Sequence, residues 1–302
     1  MLTTLIHVAI LLTLPPLLLG VIARTKALFA GRTGPSVLQP YWDLLKLARK
    51  GVVISSTTTW MFIAGPVVSL AAVLLAGLMM PMGAFNAPIS FTGDLILFAY
   101  LLALSRFFTT AAALDTGSAF EGMGAAREVT FACLAEPALI FALLVLAKLS
   151  GALSLSPMLH GPLLDAWLHA GAPLLLVLAG LFIVLLAENC RIPVDDPNTH
   201  LELTMIHEVM VLDHSGPLFG AIMYGAALKL FVLGALVTRV ALPVETGWIA
   251  LDWILFTAQM LALAVVIGVV ESVMARLRMK QVPTLLIAAC LLGGFGLLLL
   301  VT

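Results

Sequence analysis

The chain has 302 residues, 62% of them hydrophobic and 10% charged, with 15 basic side chains against 16 acidic ones for a formal net charge of -1. A composition so poor in polar groups cannot cover a water-soluble globule of this length, so lipid has to solvate most of its surface. The near-neutral balance offers no basic surface for nucleic acid, and the scattered Cys133, Cys190 and Cys290 lack any spacing that would hold zinc or an iron-sulfur cluster.

A helix crosses the hydrocarbon in about 20 apolar residues. Eight stretches have that length, roughly 4–23, 60–80, 93–113, 129–149, 172–188, 219–242, 248–273 and 283–301. The expectation is a single all-α membrane domain over 1–302, a polytopic integral membrane protein with eight transmembrane helices. The first run has no basic residue before it and has Arg24 and Lys26 after it, which reads as a retained helix with its N-terminus outside rather than a cleaved signal. The inner loops are then 24–59, 114–128, 189–218 and 274–282. They collect nearly all the basic residues, with Arg106 near the inner end of its helix, so both termini are expected outside.

In the first inner loop, Val37, Leu38, Tyr41, Leu44, Leu45 and Leu47 recur at spacings of three and four, with Asp43, Lys46, Arg49 and Lys50 between them. Opened by Gly34-Pro35 and closed by Gly51, this reads as an amphipathic helix in the inner interface. The helix over 60–80 carries no ionisable residue and is expected to be lipid-facing or structural. The second inner loop, 114–128, is rich in small residues and carries Asp115, Glu121, Arg127 and Glu128, the pattern of a solvated connector.

Glu136, followed by Pro137, lies about two turns in from the inner end of its helix. A carboxylate at that depth costs on the order of 2.5 to 3.5 kcal/mol, so it must face protein or water, as a functional group or as the partner of an arginine such as Arg127. The outer stretch 150–170 reads as a loop with a short interfacial helix. The helix over 172–188 ends in Glu188, after which Pro193 turns the chain. Asp196 before Pro197 suits a helix N-terminus, Thr199 with Glu202 offers an alternative capping box, and a second inner helix over about 197–211 would carry His200, His207 and Glu208. The histidines lack His-Glu-x-x-His spacing and no nucleophile sits in a recognisable elbow, so the chain is expected to hold neither metal nor catalytic residues. Lys229, near the middle of its helix, must pair with a carboxylate, sit in water or lose its proton. Glu271 lies near an inner helix end, and the last helix has Gly293, Gly294 and Gly296 for close packing.

Three inner segments carry a resemblance. Gly31-Arg32-Thr33-Gly34-Pro35-Ser36-Val37-Leu38-Gln39-Pro40, with Asp43-Leu44-Leu45-Lys46-Leu47 after it, resembles the first cytoplasmic loop of the H subunit of respiratory complex I. Gly124-Ala125-Ala126-Arg127 ahead of Glu136-Pro137 resembles that family's loop and helix bearing an arginine and a glutamate. Glu188-Asn189-Cys190-Arg191-Ile192-Pro193-Val194-Asp195 resembles its Glu-x-x-Arg-x-Pro-Phe-Asp signature, with Val194 in place of phenylalanine. The runs from Asp195 to Glu208 and from Leu114 to Ser118 are more similar to the corresponding subunit of the group 4 nickel-iron hydrogenases, the energy-converting and formate hydrogenlyase type.

The resemblance implies a membrane-anchor and coupling subunit in a prokaryotic inner membrane that binds no cofactor itself. The nickel-iron centre and iron-sulfur clusters are expected in partners: hydrogenase large and small subunits and an iron-sulfur subunit, with antiporter-like membrane subunits alongside. The alternative within the superfamily is the quinone-site H subunit of a complex I-like oxidoreductase. An alternative of another class is a stand-alone ion-coupled transporter, which would show repeated halves with helices broken near the midplane. The expected proton or ion path is Glu136, Glu188, Glu202, Glu208, Lys229 and Glu271. The expected docking and loop charges are Arg32, Asp43, Lys46, Asp115, Arg127, Arg191, Asp195, Asp196, His200, His207 and Asp213.

Overall fold

The first spanning helix, α1 (Leu2–Phe29), contains Pro15 and Pro16, which have no N–H to give and leave carbonyls open one turn earlier. In lipid such groups must find partners within the protein. The hydroxyl of Tyr224 donates to the Leu12 carbonyl (2.8 Å), the group that Pro16 leaves open, and that of Tyr41 donates to the neighbouring Thr13 carbonyl.

The computed structural model describes residues 2–161, 163–195 and 205–301. After α1 come α2 (Gln39–Ala48), α3 (Trp60–Met79), α4 (Asp94–Asp115), α5 (Ala119–Ser150), α6 (Leu155–Leu159), α7 (Leu163–His169), α8 (Gly171–Glu188), α9 (Gly216–Ala241), α10 (Ile249–Val273) and α11 (Val282–Leu298). No β-strand occurs among the described residues, and eight helices are long and apolar enough to cross a membrane. The expected all-α membrane fold is therefore present, with α2 as the expected amphipathic helix.

Contacts fix the helix directions. His7, near the start of α1, bonds to the Gly77 carbonyl near the end of α3 (3.1 Å) and meets Trp253 at the start of α10 edge-on. Thr25, near the end of α1, abuts Gly268 near the end of α10, where an added Cβ would lie 2.7 Å away. Gly296, near the end of α11, packs under the Pro173 carbonyl at the start of α8. The first and last described residues thus lie at one end of the bundle, and Lys26, Arg191, Asp195, Glu271 and Arg276 gather at the other.

Helix α9 is the axis: 72% of its most apolar window is buried, against 28–50% for the other spanning helices, because α1, α2, α3, α8 and α10 all pack on it. Helix α3 is structural, lying between α4 and α9 with Gly65 tight against Ala112. Gly293 and Gly296 serve the close packing expected of α11, whereas Gly294 faces open space.

Two expectations are corrected. The connector expected over 114–128 is reduced to Thr116–Ser118: Gly117 (φ +70°) makes the turn, and α5 then runs for 32 residues, about 48 Å, so it extends beyond the hydrocarbon. Gly124 misled because it serves packing; a Cβ on it would stand 2.4 Å from Val209 Cγ1 and 2.9 Å from the Ile206 carbonyl oxygen. The helix expected over 197–211 is absent from its described part, where Met205–His207 is irregular and Glu208–Val211 is a single 3-10 turn. Here backbone groups are drawn to side chains: the Ile206 amide donates to Asp195 (3.0 Å) and Arg127 donates to the Met205 carbonyl (2.8 Å). Asp196, His200 and Glu202 lie outside the described residues. The outer stretch folds as α6 and α7, with the buried Asp94 carboxylate accepting from the Leu155 amide and the Ser154 hydroxyl (each 2.7 Å).

Just before α9, the buried His214 stacks on Phe62 (ring centroids 4.0 Å apart, 18° between planes) with Nε2 near the Phe62 carbonyl (3.3 Å). Burial lowers its pKa below 6.5, so the folded chain favours the neutral ring. The stabilisation is complete above the unfolded value of about 6.5 and is lost as pH falls from there through the lower folded value. Melting of the purified protein should therefore drop as pH falls below about 6.5, and His214→Phe should reduce that slope.

Candidate functional site

Arg106 extends from α4 into the bundle, where its side chain is only 8% exposed and meets three carboxylates. Nη2 donates to both Glu188 oxygens, at 2.5 Å for Oε2, Nη1 donates to Glu136, and Nε lies 3.2 Å from Glu128 Oε1. The short α4–α5 turn makes these helices antiparallel neighbours, which brings Glu128 and Glu136 of α5 alongside Arg106. A planar guanidinium with five donors can serve all three acids at once, which a lysine could not.

Glu188, the last residue of α8, is also held by Lys229 of α9 at 2.6 Å. Of the three fates open to Lys229 the chain uses pairing. Glu136 has an arginine partner too, but it is Arg106 rather than Arg127, which is turned to the Met205 backbone. Helices α4, α5, α8 and α9 thus share one charge cluster, with His207 at 3.4 Å from Glu128 on its loop side.

The cluster sets three carboxylates, Glu128, Glu136 and Glu188, against two cations, Arg106 and Lys229. It is one positive charge short of neutrality until a proton joins it, on a carboxylate or on His207. A cavity of about 90 Å³ is lined by Lys229, Glu188, Glu128 and His207 together with Ser69 and Thr109. That is room enough for water beside these charges. On the far side Glu136, 44% exposed, lines a cleft of about 390 Å³ between α4 and α5, walled by Leu95, Tyr100, Leu139 and Leu143.

Two further ion groups lie at the same end of the bundle. Glu271 of α10 pairs with Lys26 (2.8 Å) and Arg191 (3.4 Å), and Asp195 pairs with Arg276 (2.7 Å). The turn after α8 links them to the cluster. Arg191 N bonds to the Leu186 carbonyl (2.8 Å) and Cys190 N to that of Ala187 (3.3 Å), the paired closure of a Schellman helix end. Cys190 takes the left-handed place (φ +52°) that glycine ordinarily fills. The closure reverses the chain, so Glu188 faces Lys229 while Arg191, three residues later, faces Glu271.

The remaining expected residues divide by location. Asp115 accepts from the Thr59 amide and hydroxyl (each 2.7 Å), bracing the residue that caps α3. The Asp213 amide donates to the buried Glu121 carboxylate (3.0 Å). Glu208 lies in the 3-10 turn, Arg32 and Lys46 are exposed, and Asp43 accepts from Gln39 (2.9 Å). Asp195 is buried within the chain rather than presented at its surface. Sequence reasoning did not single out Arg106, Glu128, Lys26 or Arg276 as site residues. For Arg106 a signal was available, since an arginine inside an apolar spanning run carries the same insertion penalty that marks Glu136.

These features define a multi-pass membrane subunit whose buried ionisable groups are shared among several helices. The chain belongs to the NADH dehydrogenase family, which it matches over residues 2–302. It is 32% identical over 302 residues to formate hydrogenlyase subunit 4 of Escherichia coli, covering 97% of this chain and 94% of the relative. It is 36% identical over 236 residues to hydrogenase-4 component C of the same organism, covering 78% and 73%. Identity to an H subunit of the NADH-quinone oxidoreductase of Geobacter sulfurreducens is 26% over 292 residues, covering 90% and 86%. The fold is similar to a chain of an archaeal membrane-bound sulfane sulfur reductase, with a TM-score of 0.82 at 21% identity and coverage of 99% and 98%.

The α8 closure can be tested by itself. A β-branched residue is poorly tolerated at positive φ, so Cys190→Val should cost about 1–2 kcal/mol, whereas Cys190→Gly keeps the closure without that cost. Thermal melting of the purified protein reads the difference.

Proposed function

We propose that this chain is the membrane-anchor and coupling subunit of a membrane-bound hydrogenase complex. Its loops would dock a soluble arm that carries the nickel-iron centre and iron-sulfur clusters, and its buried charges would link that arm's redox reaction to translocation of protons or sodium ions. The higher identity to the formate hydrogenlyase and hydrogenase-4 proteins than to the NADH-quinone oxidoreductase relative favours the hydrogenase branch. The observation that carries the coupling role is the Arg106 cluster, three carboxylates on two cations, which runs from His207 on the loop side to the half-exposed Glu136 on the membrane flank.

The mechanism follows from its electrostatics. With Arg106 and Lys229 as the paired cations, the site for a transferable proton is a carboxylate or His207. A unit charge arising about 10 Å away, at an effective dielectric of about 20, changes a site's energy by roughly 1.7 kcal/mol, slightly more than one pKa unit. His207 and Arg191 lie at the loop end, where redox turnover in a docked arm would act. A proton moved from His207 through Glu128 and Glu188 to Glu136 would emerge in the α4–α5 cleft, where an antiporter-like neighbour could receive it. Glu271, Lys26 and Arg191 form the branch toward α10, and Asp195, Arg127 and the Asp213 backbone amide hold the shape of the docking loops rather than relay the proton.

In the assembled complex, Glu136→Gln removes the outermost proton acceptor but leaves the Arg106–Glu188–Lys229 core. Hydrogen production should persist while ion pumping per hydrogen falls severalfold. Glu188→Gln strips a buried partner from both Arg106 and Lys229, a loss worth about 3–5 kcal/mol, and should lower assembly as well. Unchanged pumping per hydrogen in both variants would overturn the reading.

A further inference from the structure

No side chain of α2 enters the charge cluster, yet its segment is seated firmly against two spanning helices. From Gly34 to Tyr41 the chain follows α1: a Cβ on Gly34 would stand 2.4 Å from that of Ala27, and one on Gly20 would stand 1.9 Å from the Val37 carbonyl oxygen. Tyr41 then reaches the Thr13 carbonyl, roughly 20 Å along α1 from Ala27. Helix α2 returns along α9, with Leu47 over Gly220 (3.4 Å) and the Gly51 carbonyl against Gly216, the first residue of α9. Its first turn therefore lies at the depth of the spanning helices, and its last at the level where α9 begins.

The two faces of α2 differ. Tyr41, Leu44 and Leu47 are half-buried on the protein side. Leu38, Trp42 and Leu45 form the opposite stripe at i, i+4 and i+7, 50%, 60% and 44% exposed. At the shallow end come Lys46, Arg49 and Lys50, all exposed, and no ion pair of theirs occurs among the described residues. Trp42, Leu45 and these three cations line one open depression of about 530 Å³, and Leu38, Tyr41, Trp42 and Leu45 line its continuation of about 390 Å³.

We propose that this face of α2 is a binding site for an anionic phospholipid, with the phosphate on Lys46, Arg49 and Lys50 and an acyl chain along Trp42, Leu45 and Leu38. Three arguments select that occupant. Among the described residues no acidic side chain lines the mouth beside its three cations, so their complement is an anion. The apolar stripe runs deeper along the flank of α1 than a water-soluble acidic segment can follow. The order from deep to shallow, an apolar stripe of Leu38, Trp42 and Leu45 followed by the cations, is that of a phospholipid from chain to headgroup. A neutral phospholipid would leave the net charge of the mouth unanswered.

The test uses the full chain in its assembled complex, reconstituted in nanodiscs of phosphatidylcholine doped with phosphatidylglycerol. A photoreactive benzoylphenylalanine at position 42 is irradiated, and its adducts are weighed by mass spectrometry. Phosphatidylglycerol should be captured in excess over its share of the bilayer. Lys46→Gln, Arg49→Gln and Lys50→Gln together should lower that preference on the order of a hundredfold, and Lys46→Arg with Lys50→Arg should keep it. Capture in proportion to bilayer composition would overturn the proposal, as would a protein adduct in place of a lipid one, or a preference that survives loss of the three charges. If the triple variant does not assemble, the unaltered basic residues and the arginine pair still decide through the capture ratio.

Discussion

An ion inside a membrane protein must be answered by another ion, because hydrocarbon and protein interior solvate charge so poorly that an unpaired group is costly. Arg106 is where this chain meets that requirement. Its guanidinium joins acids from α5 and α8, and Lys229 brings in α9 through the shared Glu188. The packing of four spanning helices and the arrangement of the ionisable groups are therefore one constraint. A shift of any of these helices would strand a charge.

The same constraint explains the turn after α8. Glu188 and Arg191 are only three residues apart, yet they serve opposite neighbours, Lys229 on α9 and Glu271 on α10. A helix continued past Glu188 would have kept both on adjacent turns of one face. The Schellman closure with Cys190 in the left-handed region separates them, and Asp195 then locks the following segment onto Arg276 and the Ile206 amide. The turn is local backbone chemistry with a long-range electrostatic result.

Much of this was legible from sequence for physical reasons. Spanning helices are long and uniformly apolar, so their number and approximate limits followed from length alone, and the expense of Glu136 and Lys229 marked them as residues that must meet protein or water rather than lipid. Pairing itself was not legible. Arg106 was read only for its place near the inner end of its helix, since nothing within its own helix names Glu128, Glu136 and Glu188 as partners from two other helices. Glycine was ambiguous as well: Gly122 and Gly124 looked like loop residues, whereas Gly124 gives Ile206 and Val209 room against α5. The helix expected across 197–211 failed in its described part because Asp195 and Arg127 take up backbone groups that a helix would have bonded internally.

The central claim is that three carboxylates on two cations hold a proton whose position responds to the redox state of a docked partner. Infrared difference spectroscopy of the assembled complex, comparing its oxidised and reduced states, reads this directly through the C=O stretch of a protonated carboxyl group. The charge count predicts a carboxyl band that changes between the two states in the natural chain and is lost or displaced in Glu136→Gln. Spectra with no carboxyl change between the states, or with a change that Glu136→Gln leaves untouched, would contradict it.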